Sequence, residues 1–154
     1  MSLRNTQWVL AARPQGPVKV SDFRLIETPL RPLEEGEFRI ETLYLGVAAV
    51  MRNYMLNLER FERPLEIGDV MHGRGVGRIV ESRNPAWRVG EIVQGKLGWQ
   101  RYAIADGSTY FLMFKVRQRV APVSTALGVL GLTGFTSYLG LVDIGAVKPG
   151  DQVL

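Results

Sequence analysis

A chain of 154 residues is long enough for one domain with a sizeable core, since burial at this size reaches about 70% of the unfolded surface. It has 46% hydrophobic and 22% charged residues, a net charge of +4 and no cysteine, which excludes a disulfide framework and a thiolate zinc site. No run approaches the roughly 20 apolar residues that a membrane-spanning helix needs, and residues 1–10 lack the basic start and apolar core of a signal peptide.

Seventeen glycines and eight prolines are scattered along the chain and favour turn-rich β structure over a helical bundle. Residues 7–12, QWVLAA, read as a first strand closed by RPQGP, and residues 23–27 as a second, ended by Thr28 and Pro29. A polar turn, LRPLEEG, leads into the longest predicted strand, 37–47. There Phe38 and Ile40 alternate against Glu37, Arg39 and Glu41, and a phase shift near Thr42 and Leu43 predicts a bulge. Strands separated by such short turns point to a barrel or a sandwich. Residues 50–58 break the alternation: Met51, Met55 and Leu58 recur at helical spacing and predict a short helix. After a loop over 61–68, the glycine-rich stretch 70–80 ends as strand, and turns surround Trp87. Residues 92–97 and 99–105 read as two strands hinged at Gly98, and 110–116 as one more. Ser124 or Thr125 offers an N-cap to two short helices, 125–130 and 134–142. A Lys148–Pro149–Gly150 break then leads into 151–154, DQVL, which has the pattern of a strand's first residues.

The basic excess is mostly single arginines, so it reads as a solvated surface. Its one cluster, Lys115, Arg117 and Arg119, would share one face of an extended edge rather than track phosphates, and no nucleic-acid partner is expected. Gly73, Gly75 and Gly77 do not make a dinucleotide fingerprint, because Arg78 stands where the third glycine is needed and strand formers follow. They read instead as positions of close backbone approach in a curved strand. His72 is the only histidine and has no partners at metal-ligand spacing, so it reads as structural or surface, and no metal is expected. Arg52, beside Met51, Tyr54 and Met55, is either solvated or lines a pocket for an anionic or carbonyl ligand. Thr133, Thr136 and Tyr138 carry hydroxyls in an apolar helix, where back-bonding to the preceding turn is the ordinary use.

The order of segments resembles the N-terminal half of a zinc-independent medium-chain dehydrogenase/reductase. The match runs through Tyr44-Leu45-Gly46-Val47 with Met51-Arg52, then Asp69-Val70-Met71, GVGRIVESRNP from Gly75, and Leu97-Gly98-Trp99-Gln100. It continues through ALGVLGLTGFTSY from Ala126 to Lys148-Pro149-Gly150-Asp151, so it covers essentially the whole chain. The branch it resembles is that of the NADP-dependent alkenal, curcumin and prostaglandin reductases. The resemblance implies a mainly β, GroES-like bent barrel over 1–124, with 125–154 forming connecting helices and the start of a Rossmann domain cut before its glycine loop. It implies a full-length protein that uses NADP to reduce an enone, an enal or a quinone-like small molecule, and a chain that alone is inactive. It places Arg52, Val50 and Tyr54 toward the substrate and Thr136 and Thr133 toward the cofactor, and it assigns no catalytic residue. A histidine that ligates zinc in other members falls in register on Gly73. Where the family has Asp-Pro-Tyr this chain has Ala48, Ala49 and Val50, a loss of carboxylate, rigid proline and aromatic wall that reshapes the pocket. That departure leaves a second reading open, a free-standing GroES-like barrel acting as a non-catalytic binding or scaffolding module. A cytoplasmic homodimer completes the expectation, with the apolar closing helix and the 153–154 edge joining two copies.

Overall fold

The computed structural model describes residues 3–56, 63–117 and 121–153. Among the described residues seven strands form two antiparallel sheets: β1 (Arg4–Leu10) with β2 (Phe23–Pro29), and a five-stranded sheet in the order β6-β3-β4-β5-β7. The second sheet comprises β3 (Phe38–Leu45), β4 (Arg74–Ser82), β5 (Ile92–Lys96), β6 (Tyr102–Ala105) and β7 (Phe114–Lys115). The strand β1 joins the two layers. One edge pairs with β2, and the other is hydrogen-bonded to two distant segments: the Trp8 amide donates to Trp99 O and the Met71 amide to Trp8 O, both at 2.9 Å. Asn5, buried, closes the seam by receiving the Tyr102 amide and donating to its carbonyl, both at 2.8 Å. The product is mainly β, as the turn-rich composition favours, and is the bent barrel that the resemblance implies.

Two apolar clusters fill it. Phe38, Ile40, Ile79, Val93 and Leu97 pack between the strands of the larger sheet, with Trp87 stacked on Phe38 at 4.9 Å. Leu10, Met55, Leu65 and Met71 form the second, with Trp99 stacked on Phe23 at 5.6 Å. Gly73, Gly75 and Gly77, spaced by two on β4 and the residue before it, are buried. A methyl group on Gly77 would overlap Ile40 and stand 2.6 Å from Glu41 O. Close approach is therefore their use, and it permits the strand crossing that bends the sheet.

Several boundaries differ from the sequence expectation. The longest strand is β4, not β3, which slips register twice, between Arg39 and Ile40 and between Thr42 and Tyr44. The first slip buries Arg39 between two buried apolar neighbours, where its guanidinium pairs with Glu81 and donates to Arg31 O at 2.6 Å. The strand expected from Trp99 begins only at Tyr102, because the Trp99 and Gln100 amides are taken by Met71 O and Gly98 O. Residues 110–116 give a single 3-10 turn at Thr109–Phe111 and the two-residue β7. Lys115 is drawn off the expected cationic face, donating to Glu91 and Ala86 O, while Gln118 and Arg119 lie outside the described residues.

The short helix forms as α1 (Met51–Met55), burying both methionines; Asn57 and Leu58 lie outside the described residues. Neither Ser124 nor Thr125 caps a helix: Val123–Leu127 is a 3-10 turn, and the Thr125 hydroxyl donates backward to Pro122 O at 2.6 Å. The closing helix α2 spans Leu132–Tyr138 and widens into a π-type turn over Leu139–Ile144. Residues 151–153 form no ladder with any described strand, and the Asp151 carboxylate instead closes a turn by accepting from the Lys148 amide at 2.7 Å. Among the described residues no helix is long and apolar enough to cross a membrane.

The turn before β3 carries a titratable brace. Arg31 donates to both oxygens of Glu37 at 2.7 and 2.6 Å, and the Glu34 amide adds a third bond at 2.8 Å. The Arg31 guanidinium is the main reason the Glu37 carboxyl is held down from the usual 4.5 to about 2. A depressed carboxyl stabilises the fold above its unfolded pKa and loses that contribution as pH falls through the folded value. Glu37→Gln is therefore expected to lower stability at pH 7 by about 1 kcal/mol, the half-exposed Arg31 being screened by solvent, and to make little difference near pH 2. Urea midpoints of both proteins across that range check it; a gap that persists at pH 2 would refute the assignment.

Candidate active site

Between the barrel and the segment that follows it lies a cleft of about 560 Å³. The bend after β3 supplies one wall, with Val47, Ala48 and Val50 opening onto the cavity and Met51 and Tyr54 following on α1. The loop before β4 supplies His72 and Gly73, the end of β5 supplies Lys96 and Leu97, and Leu127, Leu132 and Thr133 close the far side. Sequence explains this placement locally. Ala48 and Ala49 carbonyls receive the Met51 and Arg52 amides, so the chain turns directly from strand into helix, and α1 has no side-chain cap at Val50. Small apolar side chains thus stand where the helix enters the cleft.

Of the site residues expected from sequence, Val50, Tyr54 and Thr133 line the cleft together. The Tyr54 ring meets His72 edge-on at 5.4 Å, which gives the only histidine a packing role on the cleft wall. Arg52 is not brought to the cleft: it is exposed and donates to Gly16 O at 2.9 Å. Thr136 lies one turn beyond Thr133 and outside the lining, its hydroxyl donating to Leu132 O at 2.8 Å as back-bonding predicts. Thr133 has no such bond among the described residues, and its hydroxyl remains available in the cavity wall.

Gly73 reports on the floor. A methyl there would meet Trp99 Cδ1 at 2.7 Å and Nε1 at 2.8 Å, so the indole fills the space a side chain at this position would need. Among the described residues no three histidine, cysteine, aspartate or glutamate side chains come together as a metal site. The carboxyls that the structure holds below their usual range, Glu37, Glu91 and Asp106, all lie outside the cleft wall; each is held down chiefly by hydrogen bonds, from Arg31, Lys115 and Ser108 respectively.

Sequence reading missed Arg74, Gln94 and Lys96 as lining residues. Their signal was present, three polar side chains interrupting apolar strands, but only the pairing of β4 with β5 brings them together.

Residues 6–113 match the family described as N-terminal domain of oxidoreductase. The NADPH-dependent curcumin reductase of Escherichia coli K12 is 40% identical over 98% of this chain and 43% of its own length. Prostaglandin reductase 1 of Oryctolagus cuniculus is 40% identical over 99% of the chain and 42% of its own length. The chain thus spans about two fifths of the curated relatives it matches. Among solved structures, CurA from Vibrio vulnificus superposes over 96% of this chain and 42% of its own with a TM-score of 0.83 and 36% identity, and its complex with NADPH gives 0.81. The chain belongs to the oxidoreductase N-terminal-domain family of the medium-chain dehydrogenase/reductases, on the branch of the curcumin and prostaglandin reductases.

Proposed function

We propose that this chain is the substrate-side part of an NADPH-dependent enone or enal reductase. The observation that carries the reading is the cleft, lined by Val50, Tyr54 and Thr133, in a chain 40% identical to an NADPH-dependent curcumin reductase. Residues 1–124 would form the barrel and 125–154 the lead into a cofactor-binding part. The described residues fit one end of the cofactor. Thr133 offers an unengaged hydroxyl to a carboxamide, and Thr136 keeps lone pairs that can accept, whereas among the described residues no glycine-rich strand-to-helix turn is present to cradle a pyrophosphate. When bound, NADPH supplies the hydride for the β-carbon of the enone. The chain's own work is positional. Val50, Met51 and Leu97 exclude water from the acceptor carbon, and Tyr54, held against His72, sets the plane of a conjugated ligand.

Titrating 4-phenylbut-3-en-2-one into the chain is expected to shift the amide resonances of Val50, Tyr54 and Thr133. Addition of NADPH is expected to leave the enone unreduced above background, because nothing in the described residues fixes the phosphates that would hold the nicotinamide in place. Resonance shifts confined to residues outside the cleft would sink the reading, and steady enzyme-like NADPH consumption would remove the need for a second part.

The same reading makes the chain a homodimer when studied alone. Over residues 129–147 the side chains of Val129, Leu132, Phe135, Tyr138 and Ile144 are 71, 56, 60, 58 and 84% exposed. Each large apolar side chain left in water forgoes about 1.5–3 kcal/mol, and contiguous patches of this kind mark interfaces. A second copy covering the face through α2 is the simplest two-fold arrangement. Sedimentation at micromolar concentration is expected to show a dimer that Phe135→Glu converts to monomer. A clean monomer with α2 amides protected from exchange would end the idea.

A further inference from the structure

Helix α1 is five residues long, too short to hold itself in water, and it has no side-chain cap at Val50. Its inner side chains, Met51 and Met55, are buried and press it onto the barrel. Methionine stems are flexible, so their burial fixes how deep the helix lies better than how it is turned about its axis. The turn matters, because Tyr54 stands on α1 in the cleft wall and meets His72 there.

Two arginines set it. Arg13, in the loop that follows β1, donates from Nη1 to Met55 O at 3.0 Å and so takes one of the last carbonyls of the helix. The same guanidinium lies 3.6 Å from Glu66, and the adjacent Leu65 amide donates to Tyr54 O at 2.9 Å. In the reverse direction Arg52, on the helix, donates from Nη2 to Gly16 O at 2.9 Å. Loop and helix thus each give an arginine to a carbonyl of the other. The loop is stiff: Pro14 and Pro17 fix their own φ, and Gly16 stands at φ +84°, a region open to glycine that decides where its carbonyl points. None of residues 13–17 lines the cleft.

We propose that Arg13 and Arg52 are positioning residues, a reciprocal clamp through which the 13–17 loop sets the rotation of α1 and with it the place of Tyr54 in the cleft. With either tie cut, the helix pivots about the other, so the two act as one unit. The clamp itself stands on the hydrogen bonds, and only its effect on ligand binding rests on the enone reading above.

The 154-residue chain is compared with Arg13→Ala, Arg52→Ala, the double variant and Arg52→Lys by amide exchange, His72 ring resonances and titration with 4-phenylbut-3-en-2-one. Each alanine variant is expected to speed exchange of the Met55 and Leu65 amides about tenfold or more and to shift the His72 resonances as the Tyr54 ring moves. Ketone binding is expected to weaken about tenfold. Amides of β3 and β4 are expected to keep their exchange rates, which also shows that the variants are folded. The double variant is expected to match either single one, and Arg52→Lys, which keeps a donor for Gly16 O, to restore most of the loss. Unchanged exchange and unmoved His72 resonances in both alanine variants overturn the clamp, as does a lysine variant no better than alanine. Faster exchange spread evenly over β3 and β4 overturns it in favour of a general loss of stability, and additive losses in the double variant overturn the single unit. Where the ketone binds, an affinity unchanged by release of α1 overturns the positioning role. A ketone that never binds the unmodified chain removes the enone reading instead, and exchange and the His72 resonances still decide the clamp.

Discussion

Gly77→Val is expected to cost about 2–4 kcal/mol of stability and to lower the melting temperature by roughly 5–15 °C. Gly77 is buried in the central strand of the larger sheet, with Thr42 of β3 on one side and Val93 of β5 on the other. Its α-carbon faces the backbone of β3 at the point where that strand slips register, and an added methyl would overlap Ile40 and press on Glu41 O. Ile40 is fully buried beside Phe38 and Ile79, so it has no room to retreat. Relief must come from the strands moving apart, which lengthens ladder hydrogen bonds on both sides. Thermal and urea unfolding measure the loss. A melting temperature within 2 °C of the unmodified chain would show that the approach is not tight.

Gly73→Ala is expected to act on the cleft more than on the fold. The new methyl would stand 2.7 Å from Trp99 Cδ1 and 3.3 Å from Met51 Cε. The Trp99 ring is stacked on Phe23, so it yields with difficulty, while the methionine end is flexible and lines the cavity. Displacement of both narrows the floor where a conjugated ligand would rest. Affinity for 4-phenylbut-3-en-2-one is expected to fall at least about tenfold, or ~1.4 kcal/mol, with a visible shift of the Trp99 indole N–H resonance. An unchanged affinity alongside a shifted indole would mean that the ligand does not reach the floor.

The sequence made the class of fold and the pattern of turns readable because both are local. Alternation exposed β3, the phase shift at Thr42 marked one of its two slips, and the methionine spacing marked α1. The slip at Arg39 was invisible: Arg39 reads as an outward residue, and only the two neighbouring strands show that its face is covered. The site divided in the same way. Val50, Tyr54 and Thr133 came through segment order and resemblance, and they do meet at the cleft. Arg52 has the right neighbours in sequence, but five residues of helix turn it toward Gly16. The cations at 74 and 96 are 22 positions apart, and no periodicity within one segment could have paired them.

The seam at β1 has a consequence for how the chain is made. Asn5 receives its partners from Tyr102, a separation of 97 residues, and Trp8 depends on residues 71 and 99. At a synthesis rate of about 5–20 residues per second, the first strand waits about 5–20 s for the segments that flank it. Until then β1 has only β2 beside it, and a two-stranded hairpin is marginal in water. A strand made before its partners is thus among the last elements of the barrel to be secured. Nascent chains stalled before Tyr102 should remain open to proteases and chaperones along their whole length.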